Sequence, residues 1–265
     1  MKISFIGGGN IGRAMLSAII DKGLTTSENI TVSDKNNARL QQLKEDFSVN
    51  ISSNLDIIAG GEIIILAIKP QNLDEVMTEV GGRLKPDQLV LSIIAGKSIA
   101  SLRQGLNYNT IVRAMPNTPA QIGQGMTIWT ATDEVTEKQR ASVGSILGAM
   151  GKEVYVADEG YIDMATAVSG SGPAYIFLFM ESLINAAVEL GLPPETAREL
   201  VLQTVTGSVK YASQSDKGLA QLREMVTSPG GTTAEAIKTL ETGMFAELVK
   251  KAVAAAYRRA RELGG

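Results

Sequence analysis

The chain has 265 residues, enough for one large domain or two modest ones, with 44% hydrophobic residues, 20% charged residues and a formal net charge of −3. That balance is ordinary for a soluble globular protein and gives no reason to expect nucleic acid or a membrane as a partner. Cys and His are both absent, which excludes disulfides, thiolate nucleophiles and iron–sulfur sites and removes the commonest general base and metal ligand; no metal site is expected.

Chemistry must then come from carboxylates, hydroxyls, Lys, Tyr, backbone amides or a cofactor, which favours a step such as hydride transfer. The start of the chain shows no signal-peptide pattern, because the glycines at 7–12 interrupt its apolar opening. The longest apolar runs, such as residues 63–68, are strand-sized, so no bilayer span is expected, and a cytoplasmic setting is.

In chain order, residues 2–6 form a short strand, residues 10–22 an amphipathic helix stopped by Gly23, and residues 30–33 a second strand. A helix over 36–46 and a brief strand at 49–51 follow. Residues 62–68 and 89–94 are apolar on both faces, as buried parallel strands are, and 110–115 is another strand ending at Pro116. Two further strands at 124–130 and 152–156 flank a helix over 136–150. Strands alternating with helices define a doubly wound α/β domain of Rossmann type. Beyond Asp158 no strand is evident, and helices are expected over 160–167, 174–190, 194–213, 219–226, 233–242 and 245–263. The chain therefore divides into a dinucleotide-binding domain over 1–157 and an all-α domain over 158–265. The helix at 174–190 is apolar nearly all round, so it lies between subunits or at the centre of a bundle, and a homodimer or higher homo-oligomer is expected.

Gly7, Gly9 and Gly12 follow a strand and open a helix, the context that gives a G-x-G-x-x-G pattern its meaning. Gly7 allows the tight turn, Gly9 lets the backbone approach a pyrophosphate, and Gly12 lets helix and strand pack. The free amides at the start of the helix, from Asn10 and Ile11, suit a diphosphate. A glycine-rich turn without a ligand is the plainer alternative. About 20 residues further on, where the ribose-reading residue is placed, stand Ser33, Asp34, Lys35 and Asn36. Asp34 suits a free ribose diol and NAD, or simply caps the next helix; Lys35 with Ser33 and Asn36 suits a 2′-phosphate and NADP. The balance leans to NADPH, with NADH as the alternative. Lys69-Pro70 and Ala95-Gly96 sit past the carboxyl ends of later strands, on the face where a dinucleotide runs, with Ala67 near the end of the first of these strands as a further cofactor candidate, although each loop also serves as a strand-to-helix turn.

Ser228-Pro229-Gly230-Gly231-Thr232-Thr233 opens a helix, and Thr232 with Glu235 has capping-box spacing. The glycines also expose backbone amides, and the hydroxyls add uncharged donors, so the segment suits a small carboxylate as well as a bare cap.

Taken together, Gly7 to Gly12, Ala67-Ile68-Lys69-Pro70-Gln71, Arg113-Ala114-Met115-Pro116-Asn117-Thr118-Pro119, Ser169-Gly170-Ser171-Gly172-Pro173 and Ser228 to Thr233 resemble pyrroline-5-carboxylate reductase, in order and over essentially the whole chain. The resemblance implies reduction of 1-pyrroline-5-carboxylate to L-proline by NADPH or NADH, a Rossmann domain, and a helical domain that interleaves with a second subunit. It also implies that Thr233 hydrogen-bonds the substrate ring nitrogen, with Gly230 in the same substrate loop. Gly231 and Thr232 amides with Ser228 then hold the carboxylate. Met115, Pro116 and Asn117 border the nicotinamide, and Asn54 sits near the adenosine ribose. Glu159 matches a position near the substrate, with the start of the helix at Gly160 as its equal alternative. A β-hydroxyacid dehydrogenase is the rival enzyme, but no Lys occurs between Lys152 and Lys210 to serve as its acid/base. A dinucleotide-binding sensor without turnover is the rival from another class.

Overall fold

The structure, a computed structural model, describes residues 1–264. The chain forms two compact units, one of Met1–Ser171 with residues 255–264 and one of Gly172–Ala254. Residue 265, the last of the helical domain read from sequence, lies outside the described residues.

The first unit starts with strand β1 (Ile3–Ile6), helix α1 (Asn10–Asp21), β2 (Ile30–Ser33), α2 (Asn37–Phe47), β3 (Asn50–Ile51), α3 (Asn54–Gly60) and β4 (Ile63–Leu66). It continues with α4 (Leu73–Val80), β5 (Leu89–Ser92), α5 (Ile99–Leu106), β6 (Ile111–Met115), β7 (Gly125–Ala131), α6 (Glu137–Gly148) and β8 (Gly151–Tyr155). The strands make one sheet in the order β3-β2-β1-β4-β5-β6-β7-β8, parallel except between β6 and β7. Each face carries its own core. Met15, Leu16 and Ile19 of α1 and Val143, Ile146 and Leu147 of α6 bury one face. Ile57 and Ile58 of α3, Leu73, Val76 and Val80 of α4, and Leu102 and Leu106 of α5 bury the other. The isoleucines of β4 point to both cores, which is why that strand reads as an unbroken apolar run. Strand order reverses between β1 and β4, so the loops after these strands flank the crevice at the switch point.

Helix α7 (Gly160–Ala165) and a π-helical turn over Thr166–Gly170 complete this unit. The change from strands to helices thus falls near Asp158, while the compact unit extends to Ser171.

The remaining helices are α8 (Gly172–Glu189), α9 (Pro194–Gln214), α10 (Leu219–Met225), α11 (Thr232–Thr242) and α12 (Phe245–Gly264), the end of α12 belonging to the first unit. Ala197 and Val201 of α9 are buried, and α8 packs against α9. No residue of α8 is buried, and Phe177 and Leu178 are 58% and 63% exposed. The centre-of-a-bundle alternative for this helix is therefore overturned within the chain. One further expectation is corrected. Residues 160–189 contain an 18-residue stretch with a mean hydropathy of 1.2, long and apolar enough for a bilayer span by length and composition. Interspersed Gly, Ala and Ser keep it from looking like an unbroken apolar run.

Candidate active site

The glycine turn is fixed from three sides. Gly7 has φ +99°, and a Cβ there would lie 2.5 Å from the Ala67 carbonyl oxygen. Its N–H donates to Ser33 O at 2.7 Å. A Cβ on Gly12 would come within 2.8 Å of Gly7 O, whereas one on Gly9 would meet nothing within 4 Å. Gly7 and Gly12 therefore serve the fold, and Gly9 leaves an open approach to the backbone. Gly9 is also the N-cap of α1, with no side-chain cap, so the amides of Asn10 and Ile11 stand at an uncapped, positive helix end.

At the tip of β2, Asp34 is already engaged. Oδ2 accepts from Gly8 N–H at 2.8 Å, and Oδ1 accepts from Asn36 N–H at 2.8 Å. Arg39 Nη1 adds contacts of 3.2 and 3.5 Å to the two oxygens. Burial pushes the Asp34 carboxyl up, but the Asn36 and Gly8 amides and the Arg39 guanidinium outweigh it and hold the pKa below the usual carboxylate range. Lys35 turns to Glu75, and Asn36 caps α2 by accepting from Arg39 N–H at 3.1 Å. The Asn36 cap displaces Asp34 from the capping role considered for it. Ser33 is buried and donates to Asn54 Oδ1 at 2.5 Å, while Asn54 Nδ2 donates to Glu79 at 2.6 Å. Sequence reasoning missed Arg39; its signal was a cation five positions beyond Asp34 in the first turn of α2.

Along the same edge, Lys69 precedes a 3-10 turn at Pro70–Asn72, and Ala95 precedes Gly96, whose φ is +67°. A Cβ on Gly96 would lie 2.6 Å from Leu263 Cβ. Beyond β6, Asn117 Oδ1 accepts from Met126 N–H at 2.9 Å, and its Nδ2 donates to Ser169 O at 3.2 Å. Met115 reaches the π-helical turn, its Cε lying 3.0 Å from where a Gly170 Cβ would be.

Glu159 stands at the N-cap position of α7, but its side chain does not cap the helix. Its carboxylate accepts from Ile99 N–H at 2.8 Å and from Arg113 Nη1 at 2.7 Å. Asp158 takes the capping role, accepting from Gly160 N–H at 2.8 Å.

In the second unit, Gly231 N–H donates to Ser228 O at 3.0 Å across Pro229 and Gly230, with Gly230 at φ +70°. Proline second and a left-handed glycine third are the marks of a type II turn. A Cβ on Gly231 would lie 2.8 Å from Ser228 Oγ. Gly231 is the N-cap of α11 and there is no side-chain cap. The capping box expected from Thr232 and Glu235 is therefore not formed: the turn delivers Gly231 to the cap position and makes Thr232 the first helical residue. The first amides of α11 and the hydroxyls of Thr232 and Thr233 are left without that intrahelical partner, so the segment can receive an anion.

A parallel sheet with a dinucleotide-type glycine turn at its switch point, followed by a helical unit, defines a Rossmann-type oxidoreductase. The family described as "NADP oxidoreductase coenzyme F420-dependent" matches residues 2–96, and "Pyrroline-5-carboxylate reductase dimerisation" matches residues 159–263. The pyrroline-5-carboxylate reductase of Synechocystis is 40% identical, covering 100% of this chain and 98% of its own; that of Pseudomonas aeruginosa is 39% identical, with 99% and 96% covered. The Plasmodium falciparum pyrroline carboxylate reductase crystallised with NADP bound superposes with a TM-score of 0.91 at 34% identity, covering 100% of this chain and 98% of its own. The chain belongs to the pyrroline-5-carboxylate reductase family.

Proposed function

We propose that the protein reduces 1-pyrroline-5-carboxylate to L-proline with NADPH as the preferred hydride donor and NADH as an alternative. The observation that carries the substrate half is the uncapped start of α11 behind the Ser228–Gly231 turn. Ser228 Oγ and the Thr232 amide hold the carboxylate; the Gly231 amide expected beside them is turned into Ser228 O, so Gly231, with Gly230, shapes the turn, and the Thr233 hydroxyl aligns the ring nitrogen. The bound dinucleotide supplies a hydride to the C=N carbon. A cyclic imine takes a proton from water near neutral pH, so this chain needs to supply position rather than a strong base, which suits a protein without His or Cys.

On the cofactor side, Gly7, Gly9, Asn10, Ile11 and Gly12 receive the pyrophosphate. Ser33, Asp34, Lys35, Asn36 and Asn54 surround the adenosine ribose, and Ala67, Lys69, Pro70, Ala95, Met115 and Asn117 line the path to the nicotinamide. The fit is supported by the open face of Gly9 and the uncapped start of α1. Glu159 acts by holding Arg113 and the start of α5. The working domains are 1–157 for the dinucleotide and 158–265 for substrate and dimerisation. The exposed apolar face of α8 is covered by a second copy in a homodimer or an oligomer of dimers, and the protein works in the cytoplasm without nucleic-acid or membrane partners.

The test is purified protein with pyrroline-5-carboxylate and each cofactor, followed by loss of reduced-nicotinamide absorbance. Oxidation dependent on substrate is expected, faster with NADPH. No oxidation above background with either cofactor would refute the reductase reading.

A further inference from the structure

We infer that Arg39, rather than Lys35, decides between the two nicotinamide cofactors, by occupying the Asp34 carboxylate in the free protein and pairing with the 2′-phosphate when NADPH binds. An acidic side chain at the end of the second strand of a Rossmann unit selects NAD by accepting from the ribose hydroxyls, and it repels a 2′-phosphate. Here that carboxylate is already spoken for. Each Asp34 oxygen takes one backbone N–H, from Gly8 and from Asn36, at 2.8 Å. Arg39 Nη1 straddles both oxygens, covering the lone pairs that a ribose diol would use. The side chains differ sharply in access: Asp34 is 10% exposed and Arg39 is 46% exposed. Asp34 is therefore a fixed anchor and Arg39 a cation free to turn outward from it.

A second observation places Arg39 beside the phosphate-binding turn. Arg39 Cδ lies 3.7 Å from where a Gly8 Cβ would stand. Lys35, by contrast, points to Glu75, with both side chains largely in solvent. A planar guanidinium also suits a phosphate better than a mobile ammonium, because it can donate two parallel N–H bonds. The arrangement explains how a chain with Asp34 at this position can favour NADPH while retaining NADH: the Gly8 and Asn36 amides keep hold of the carboxylate when Arg39 turns to the phosphate, and with NADH, which has no phosphate, Arg39 can stay on Asp34.

The inference rests on the reading of the chain as an NAD(P)H-dependent reductase. It is tested by calorimetric titration of the apoprotein with NADP⁺, NAD⁺, 2′,5′-ADP and 5′-ADP, without substrate or turnover. Arg39→Ala is expected to weaken NADP⁺ and 2′,5′-ADP by about tenfold to a hundredfold, the scale of one charge-assisted contact. NAD⁺ and 5′-ADP should bind as before or more tightly, and Arg39→Lys should recover part of the loss. Equal weakening of all four probes, no weakening of any, or a phosphate-specific loss in Lys35→Ala but not in Arg39→Ala would each overturn the assignment. Failure of the unaltered protein to bind any of the four would instead overturn the dinucleotide reading beneath it.

Discussion

Arg113 on β6 and Glu159 just before α7 meet at 2.7 Å, although they are 46 residues apart in the chain. The other guanidinium nitrogen reaches Asp163 at 2.6 Å, and Arg113 is only 3% exposed. One buried cation thus fastens α7 to the strand that leads into Met115-Pro116-Asn117.

Arg113→Met should therefore leave two carboxylates facing each other with no counter-charge. A loss of about 1 to 3 kcal/mol is expected, because the two carboxylates lose their counter-charge but keep partial access to water, read as a lower urea midpoint. Arg113→Lys should recover little, since one ammonium cannot span both partners as the forked guanidinium does. A midpoint unchanged in Arg113→Met would show that the pair is not what holds α7.

Gly9→Ala separates a binding role from a folding role. The position has open space around it and φ −65°, which alanine adopts freely. Thermal stability should stay within about 0.5 kcal/mol of the parent, while NADP⁺ affinity falls by roughly tenfold as the added methyl blocks backbone approach. Gly12→Ala should lose both, because its Cβ would strike Gly7 O at 2.8 Å. Unchanged NADP⁺ affinity in Gly9→Ala would remove Gly9 from the cofactor site.

Thr233→Ala is expected to reduce kcat by about tenfold to a hundredfold, the worth of a hydrogen bond to a group that is charged as it reacts. Circular dichroism and the melting temperature should stay as in the parent, since Gly231 and not Thr233 caps α11. An unaltered turnover would take Thr233 out of the mechanism.

The Asp34 bracket gives a pH signature. A carboxyl whose folded pKa is lowered contributes stability above its unfolded value, about 4, and loses it as the pH falls through the folded value. The stability difference between the parent and Asp34→Asn should therefore be constant from about pH 7 to 5 and shrink below about pH 4. Urea titrations at a series of pH values would show it, and a difference that grows in acid would contradict the bracket.

If α8 carries the proposed subunit interface, Phe177→Asp with Leu178→Asp should lower the molar mass in light scattering to that of a monomer, with the sheet's circular dichroism retained. These side chains are 58% and 63% exposed within one chain, and charge on that face opposes burial against a second copy. An unchanged molar mass would place the subunit interface elsewhere.

What was legible in the sequence follows from how locally each feature is encoded. Strands β4 and β5 announce themselves because residues buried on both faces of a parallel sheet leave a nearly unbroken apolar run. The glycine turn is legible because Gly7 needs a left-handed φ that few other residues tolerate. The capping box misled because the Thr232–Glu235 spacing is only a local pattern, and the Ser228–Gly231 turn before it decides which residue reaches the cap. The Arg113–Glu159–Asp163 cluster and the Arg39–Asp34 pair stayed hidden for a different reason. A cation's partner is chosen by where the chain returns to, and neither periodicity nor spacing records that.

The packing of Leu263 on Gly96 has a consequence for how the protein is made. Residues 255–264 belong to the unit that begins at Met1, so the whole stretch Gly172–Ala254 is an excursion between two parts of one body. A ribosome therefore delivers the eight-stranded sheet early and the segment that packs on Gly96 near the end of synthesis. During that interval the turn at Gly96 waits without Leu263. Nascent chains stalled before residue 255 should be the ones most in need of a chaperone.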